Sequence, residues 1–276
     1  MANNKIFLQW EIGFADNPDT TPAIYYPAQV PGAVQLDMAQ ALHYEPFYTS
    51  DNFHDYDWME DKFWFYRTHF VTPPLKEDEE LWLIAKGIDY QFTIFINREK
   101  VWQQTGMYQP VNLKVNKLQQ KNEILIIIHP VPKVEGVPAN RRQAAQSTKP
   151  AVSYGWDFHP RLIPLGICDD IYLHVKKTSH LKEVKINYQL SETLDQVTVA
   201  LEIAGEDITG FQIKWRLQDA EEKLVAEDHV IAGEDTMTIN FSIAAPFLWW
   251  PHDHGVPYLY NLTVSLETFD RNPLER

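Results

Sequence analysis

Short runs of apolar residues recur along the whole chain, and long amphipathic helical patterns are nearly absent. In the first part of the chain these runs cover residues 64–70, 80–84, 90–96, 123–128 and 169–175. The run 90–96 alternates between apolar and polar positions, which predicts a strand with one apolar face. The runs 64–70 and 123–128 are apolar on both faces, which predicts strands buried on both sides. One short helix is predicted after the Pro31-Gly32 turn, ending near Leu42.

Beyond a boundary near residue 178 the pattern changes to evenly spaced strands. They are predicted over residues 184–190, 197–203, 211–217, 225–231, 237–243 and 258–266. Within 197–203, alternate positions are apolar, so one face of this strand faces a core. Six such strands over about ninety residues, without helices, are typical of an immunoglobulin-like sandwich. The sequence therefore predicts an all-β chain with two domains, residues 1–178 and 179–276.

The composition supports two packed cores and argues against certain classes of binding partner. Of the 276 residues, 45% are hydrophobic and 13% aromatic, so disorder is not expected. The net charge of −14 argues against nucleic acid as a partner and against binding to an anionic membrane surface. The single cysteine, Cys168, excludes an internal disulfide framework and is interpreted as a small buried residue. The chain start shows no signal-peptide pattern, so we expect a soluble protein whose compartment stays open.

Residues 154–162, Tyr-Gly-Trp-Asp-Phe-His-Pro-Arg-Leu, suit neither a strand nor a helix. The glycine permits a turn, and the proline removes a backbone donor and holds the residue before it extended. Trp156 beside Asp157 and Arg161 is a combination that a sugar site uses, because Trp stacks on a pyranose face and charged groups bind hydroxyls. The alternative is a buried corner in which Asp157 and Arg161 neutralise each other. Residue types alone favour neither interpretation.

This segment, followed by Gly166-Ile167, resembles the Gly-Trp-Asp-Trp-Gly-Pro-Arg signature of the β-mannosidase branch of glycoside hydrolase family 2. Other segments resemble the family in the same order. They are Pro-Gly at 31–32, Trp-x-Tyr-Arg at 64–67, Gly-Ile-Asp at 87–89, Gly-Met-Tyr at 106–108 and Pro-x-Leu-Trp-Trp-Pro at 246–251. The resemblance implies that residues 1–178 form a jelly-roll, galactose-binding-like sandwich and that residues 179–276 form the immunoglobulin-like sandwich.

The resemblance also implies a function for the parent protein. It is expected to be a retaining β-glycosidase, most similar to β-mannosidases, that hydrolyses terminal β-mannosides. In the family both catalytic glutamates lie in a (β/α)₈ barrel of about 250 residues after the second sandwich. No catalytic residue is therefore assigned to this chain, which is expected to be inactive alone. The implied partners are a carbohydrate and a catalytic barrel of the same polypeptide, and a homo-oligomer stays open.

The substrate-binding residues implied by the resemblance are Trp156, Asp157, His159 and Arg161. Asp157 is expected to bind sugar hydroxyls in the −1 subsite, and Trp156 is expected to form the subsite wall. Arg161 is expected to be structural, paired with Asp157 or Asp89. His159 replaces the glycine of the signature and adds a potential hydrogen-bond donor. No metal and no cofactor are expected.

Other interpretations stay open beside this one. The chain is alternatively a free-standing carbohydrate-binding module, or a structural pair of domains that holds an oligomer together. The basic stretch 131–150 is either a solvated loop or a neighbour of Trp156 in which Arg141 or Arg142 holds a carboxylate. Trp249 and Trp250 are interpreted as filling the end of a core or a domain interface. The sequence His-Asp-His at 252–254 is interpreted as a turn rather than a metal site.

Overall fold

The computed structural model describes residues 4–267 and 273–275 and is built mostly of strands. These residues form two compact units. Unit 1 holds the described residues up to Lys76 together with Glu80–Val175, and unit 2 holds Glu77–Glu79 and the described residues from Lys176 onwards. In the part of the chain that the structure describes, no helix is long and apolar enough to cross a membrane. The predicted all-β class is confirmed.

Unit 1 contains a six-stranded sheet and a four-stranded sheet. Its strands are β1 (Lys5–Phe7), β2 (Trp10–Ala15), β3 (Tyr26–Ala28), β4 (Phe63–Val71), β5 (Glu79–Ala85), β6 (Gln91–Ile96), β7 (Glu99–Thr105), β8 (Val111–Lys114), β9 (Lys121–Ile128) and β10 (Ile171–Lys177). The larger sheet has the order β3-β2-β4-β9-β6-β7, and the smaller has the order β1-β10-β5-β8. Helix α1 (Val34–Leu42) ends where the sequence predicts, and 3-10 turns cover Asn52–Asp61, Arg141–Ala144 and Ala151–Tyr154.

The core of unit 1 is formed by buried side chains of both sheets, with the central strands of the larger sheet among them. β4 pairs antiparallel with β9, placing Tyr66 opposite Ile126, and both side chains are fully buried. The first half of β4 has three consecutive buried residues, while its second half alternates. Burial on both faces is therefore confirmed for the first half of β4. It is also confirmed for the last three residues of β9, 126–128, which are all buried.

Unit 2 is a sandwich of a three-stranded and a four-stranded sheet. Its strands are β11 (His180–Leu190), β12 (Gln196–Glu206), β13 (Gln212–Gln218), β14 (Leu224–Ile231), β15 (Thr236–Ala244), β16 (Asn261–Glu267) and β17 (Pro273–Glu275). The orders are β11-β12-β15 and β14-β13-β16-β17. Trp215 of β13 stacks on Phe241 of β15 with ring centroids 4.2 Å apart, which joins the two sheets. The alternation in 197–203 is confirmed, since Leu201 and Ile203 are buried and Glu202 is exposed.

Three expectations about burial and strand ends are wrong. Cys168 is exposed rather than buried. Trp249 and Trp250 are 57% and 46% exposed, so they do not fill the end of a core, and their alternative place at a domain interface stays a prediction. The strand predicted over 258–266 begins at Asn261, because the preceding residues form an irregular segment closed by a Trp249–Pro257 bridge.

Candidate functional site

The 154–162 loop is a narrow loop closed at its base by backbone hydrogen bonds. Leu162 N–H donates to the Ser153 carbonyl at 3.0 Å, and Trp156 N–H donates to the His159 carbonyl at 2.9 Å. Gly155 has φ 105°, a backbone conformation in which an L side chain is strained, so glycine is required where the chain leaves the 3-10 turn. This backbone is neither strand nor helix, as the sequence predicts.

The tip of this loop presents aromatic rings and a carboxylate to solvent. Trp156 is 41% exposed and Phe158 is 76% exposed, with ring centroids 6.1 Å apart. Asp157 is exposed, and its carboxylate forms no ion pair or hydrogen bond with the residues that the structure describes. Buried neutralisation of Asp157 by Arg161 is therefore wrong. The arrangement leaves a carboxylate acceptor beside an indole, both accessible to a ligand.

His159 lies at the end of the same turn, half-buried. Its Nδ1 lies 2.6 Å from the Pro160 carbonyl oxygen. Because a carbonyl oxygen only accepts, Nδ1 carries the proton of the neutral ring, and Nε2 is left as an acceptor. The donor expected from His159 is thus used on the carbonyl of the next residue, Pro160, and the group that the neutral ring adds to the site is an acceptor.

Arg161 is held by a partner that sequence reasoning missed. Its Nε and Nη2 donate to the Glu60 carboxylate at 3.1 and 3.0 Å, and the two side chains are only 16% and 14% exposed. Its Nη1 also donates to the Tyr154 carbonyl at 3.3 Å. The expected pairing with Asp157 or Asp89 is wrong, because the guanidinium turns away from the loop tip towards the 3-10 turn Asn52–Asp61. The structural role expected for Arg161 stays a prediction.

The basic stretch 131–150 lies against the 154–162 loop at two points. The Arg141 guanidinium stacks over the Trp156 ring at 4.0 Å, a cation–π contact. Gln143 Oε1 accepts a hydrogen bond from Arg161 Nη2 at 2.7 Å. Neither Arg141 nor Arg142 holds a carboxylate within the described residues. The stretch is therefore a neighbour of Trp156, and it contacts the indole through Arg141 instead of binding an acid.

A buried ion pair lies beneath this stretch. Lys149 Nζ bonds to the Asp89 carboxylate and donates to the Pro164 carbonyl at 2.7 Å, and both charged side chains are almost fully buried. Burial raises the pKa of Asp89 and lowers the pKa of Lys149, while each charge stabilises the other. In the sequence Lys149 lies in the basic stretch 131–150, and no local spacing signals a pair sixty residues apart.

Two groups of histidine and aspartate outside the loop are ordinary surface features. His54 Nδ1 lies 3.0 Å from an Asp57 carboxylate oxygen on the surface. Residues 252–254 lie in a turn, as the sequence predicts. Among the described residues, no group of three metal-binding side chains comes together.

Comparison with known protein families agrees with the family resemblance that the sequence motifs indicate. The galactose-binding domain-like model of glycosyl hydrolase family 2 matches residues 10–169, and a second model, for glycosyl hydrolases family 2, matches residues 179–275. The chain therefore belongs to glycosyl hydrolase family 2, and the family predicted from the sequence is confirmed.

The relatives are longer proteins. The chain is 25% identical to β-mannosidase B of Aspergillus oryzae over 93% of its own length and 32% of that protein. It is 26% identical to β-mannosidase B of Thermothelomyces thermophilus over 93% of its length and 31% of that protein. The chain thus spans about a third of the length of these curated relatives.

Solved structures show the same fold. A β-D-mannosidase from Dictyoglomus thermophilum matches 99% of this chain with a TM-score of 0.81 and 23% identity, over 35% of that protein. A β-glucuronidase from Parabacteroides merdae matches 99% with a TM-score of 0.68 and 16% identity, over 35% of that protein. The predicted jelly-roll and immunoglobulin-like sandwiches are consistent with this family and fold.

Proposed function

We propose that this chain is the non-catalytic N-terminal portion of a retaining β-glycosidase that hydrolyses terminal β-mannosides. Family membership supports a glycosidase, and relatives named β-mannosidase B support the β-mannoside. The observation that carries the proposal is the exposed Asp157 carboxylate, which has no partner within the described residues. It lies next to Trp156 on a loop that is held by the Arg161–Glu60 ion pair.

The proposed domains are residues 1–178 and 179–276, with the sugar-binding loop in the first. The carboxylate of Asp157 accepts hydrogen bonds from sugar hydroxyls, which are charge-assisted and therefore strong. Trp156 forms the apolar wall, and since Arg141 covers one ring face, the sugar meets the other face or the ring edge. His159 contributes its Nε2 acceptor, and Arg161 holds the loop in place.

The proposal leaves bond cleavage to another part of the same polypeptide. Retaining hydrolysis needs a carboxylic acid that protonates the leaving oxygen and a carboxylate roughly 5–5.5 Å away that attacks the sugar carbon. These two groups are proposed to be glutamates of a catalytic barrel. The loop at residues 154–162 then completes the pocket by binding the sugar that the barrel cleaves.

The first test is the mass of the natural protein in its source cells, measured with an antibody to this chain. A band far above 32.2 kDa, by at least a ~250-residue barrel, supports the proposal. The natural protein is then assayed on a panel of aryl β-glycosides. A band at 32 kDa contradicts the proposal and favours a free-standing carbohydrate-binding module, for which the chain alone binds sugar and Asp157→Ala abolishes that binding.

In the natural protein, Asp157→Ala is expected to lower kcat/KM for an aryl β-mannoside by ~100-fold, about 2.7 kcal/mol, because charge-assisted hydrogen bonds to the sugar are lost. The matched control is Asp19→Ala, which removes another exposed carboxylate of unit 1. It should leave kcat/KM unchanged. An unchanged rate in Asp157→Ala would instead favour purely structural domains.

A further inference from the structure

The geometry points to Glu60 as the positioning residue of the 154–162 loop, acting on Asp157 and Trp156 through Arg161. This inference rests on the proposed function, because it concerns how the proposed sugar-binding groups are held. Among the hydrogen bonds of the described residues, Glu60 meets the loop through Arg161, so it is proposed to act through that side chain rather than on the sugar.

Glu60 is attached to a backbone that is held at two successive residues. Its carbonyl accepts a hydrogen bond from Val131 N–H at 2.8 Å. The carbonyl of Met59 accepts one from Trp64 Nε1 at 3.0 Å, and both Met59 and Trp64 are fully buried. The carboxylate of Glu60 therefore projects from a support fixed to the core of unit 1.

The carboxylate meets Arg161 in a two-pronged geometry. Nε and Nη2 of Arg161 both donate to it, a fork that fixes orientation as well as distance. Lys133 Nζ lies 2.5 Å from the same carboxylate and 2.8 Å from Asp61. The positive charges of Arg161 and Lys133 thus balance the negative charges of the Glu60 and Asp61 carboxylates. Arg161 has no other carboxylate partner among the described residues.

Arg161 in turn joins the parts that surround the loop tip. Its Nη1 donates to the carbonyl of Tyr154 at the other end of the loop, so one guanidinium spans the loop neck. Its Nη2 donates to Gln143, whose own stretch carries the Arg141 that stacks on Trp156. Displacing this guanidinium removes its bonds to Tyr154 and Gln143 together, so the loop neck is then held by its backbone hydrogen bonds without the side-chain support.

Glu60→Gln is the sharpest variant, because it keeps the side-chain volume and removes the charge. In the natural protein we expect it to lower kcat/KM for an aryl β-mannoside by ~10–30-fold, since misplacement of a binding group is costly. Arg161→Lys, which keeps the charge and loses the fork, should lose a similar factor. The matched control is Glu11→Gln, which breaks the forked but more exposed Arg67–Glu11 pair of the large sheet. It should change kcat/KM by less than ~2-fold.

A double-mutant cycle separates positioning from a loss of stability. If Glu60 acts through Asp157, Glu60→Gln should cost less than ~3-fold in an Asp157→Ala background. The inference is overturned if Glu60→Gln lowers kcat/KM by the same factor with and without Asp157→Ala. It is also overturned if Glu60→Gln alone lowers kcat/KM no more than Glu11→Gln does.

A measurement on the 276-residue chain does not depend on hydrolase activity. Glu60→Gln should speed amide hydrogen exchange of Trp156 and Leu162, the donors that close the loop, by at least ~10-fold. Exchange in β9 should stay the same, and Glu11→Gln should change neither. If the loop amides are unaffected, the inference is wrong even where glycosidase activity is found. If they are affected and no glycoside is cleaved, the loop anchor stands and the proposed function fails.

Discussion

Asp37 is a carboxylate inside the core of unit 1, on the first turn of α1. It is 4% exposed, and its Oδ1 accepts a hydrogen bond from Gln29 N–H at 2.9 Å. Its Oδ2 has no hydrogen-bond partner within the described residues. Burial disfavours the charged form and raises the pKa of Asp37 to about 6. The group is therefore mostly neutral at mildly acidic pH and charged at neutral pH.

This shift predicts that unit 1 loses stability as the pH rises. Because the folded state has the higher pKa, it binds more protons than the unfolded state between pH ~4 and ~6, so the free energy of unfolding falls across that range, by roughly 3 kcal/mol. Asp37→Asn keeps an acceptor for Gln29 and removes the titration. The free energy of unfolding, measured by urea denaturation at pH 4.5 and 7.5, should fall less with rising pH in the variant than in the wild type. An equal change in the free energy of unfolding between the two pH values in both proteins would contradict this account.

For single residues, the sequence indicates which side chains belong to the site but not which contacts each of them makes. Trp156 and Asp157 are exposed together because Gly155 turns the chain, which the sequence predicts. The partner of Arg161 could not be predicted, since Glu60 lies 101 residues earlier and any of several carboxylates has suitable chemistry. The stacking of Arg141 on Trp156 likewise depends on the path of the intervening loop.

At the scale of elements, Lys149 joins three segments that have no regular structure of their own. It bonds to Asp89 just before β6 and to Pro164 after the 154–162 loop, and Thr148 N–H donates to Tyr90 Oη at 3.0 Å. Asp89 and Gly166 also exchange two backbone hydrogen bonds, of 2.8 and 3.0 Å. One buried ion pair thus holds the loop region to the end of the sheet.

Lys149→Met is expected to destabilise unit 1 by ~3 kcal/mol, because it leaves the charge of Asp89 buried without compensation. Adding Asp89→Asn should recover part of the loss, since the orphaned charge is removed. Urea denaturation measures both effects. Lys86→Met, which breaks the exposed Lys86–Asp170 pair, is the control and should leave the midpoint nearly unchanged. A double variant as unstable as Lys149→Met would contradict the explanation.

For the whole molecule, the notable surface feature is a group of large exposed apolar side chains on unit 2, around Trp249 and Trp250. Residues 247–259 present five large apolar side chains: Phe247, Trp249, Trp250, Val256 and Leu259, each 46% to 67% exposed. The segment is ordered, because Trp250 N–H donates to the Val256 carbonyl at 3.0 Å and Phe247 N–H donates to Tyr260 Oη at 2.8 Å. Large exposed apolar patches are typical of sites of interaction, so these side chains fit the predicted domain interface, which stays a prediction.

The 276-residue chain is therefore expected to bind a hydrophobic dye such as ANS in its native state. The double variant Trp249→Ser with Trp250→Ser should bind at least ~2-fold less dye, with little loss of stability because both rings are largely exposed. Trp102→Ser, at a 37% exposed tryptophan of unit 1, is the control and should leave dye binding unchanged. Equal dye binding by wild type and double variant would show that the surface lies elsewhere.

The all-β class, the short helix, most strands and the place of the aromatic–carboxylate loop can be predicted from the residue pattern alone. These follow from local patterns, because side chains alternate across a strand and glycine and proline restrict the backbone where they stand. By contrast, the pairing of Glu60 with Arg161, the pairing of Asp89 with Lys149 and the exposure of Trp249 and Trp250 are set by the folded arrangement. Those outcomes depend on which distant segments meet, and an ion pair or a burial site forms through space without any spacing in the sequence to signal it.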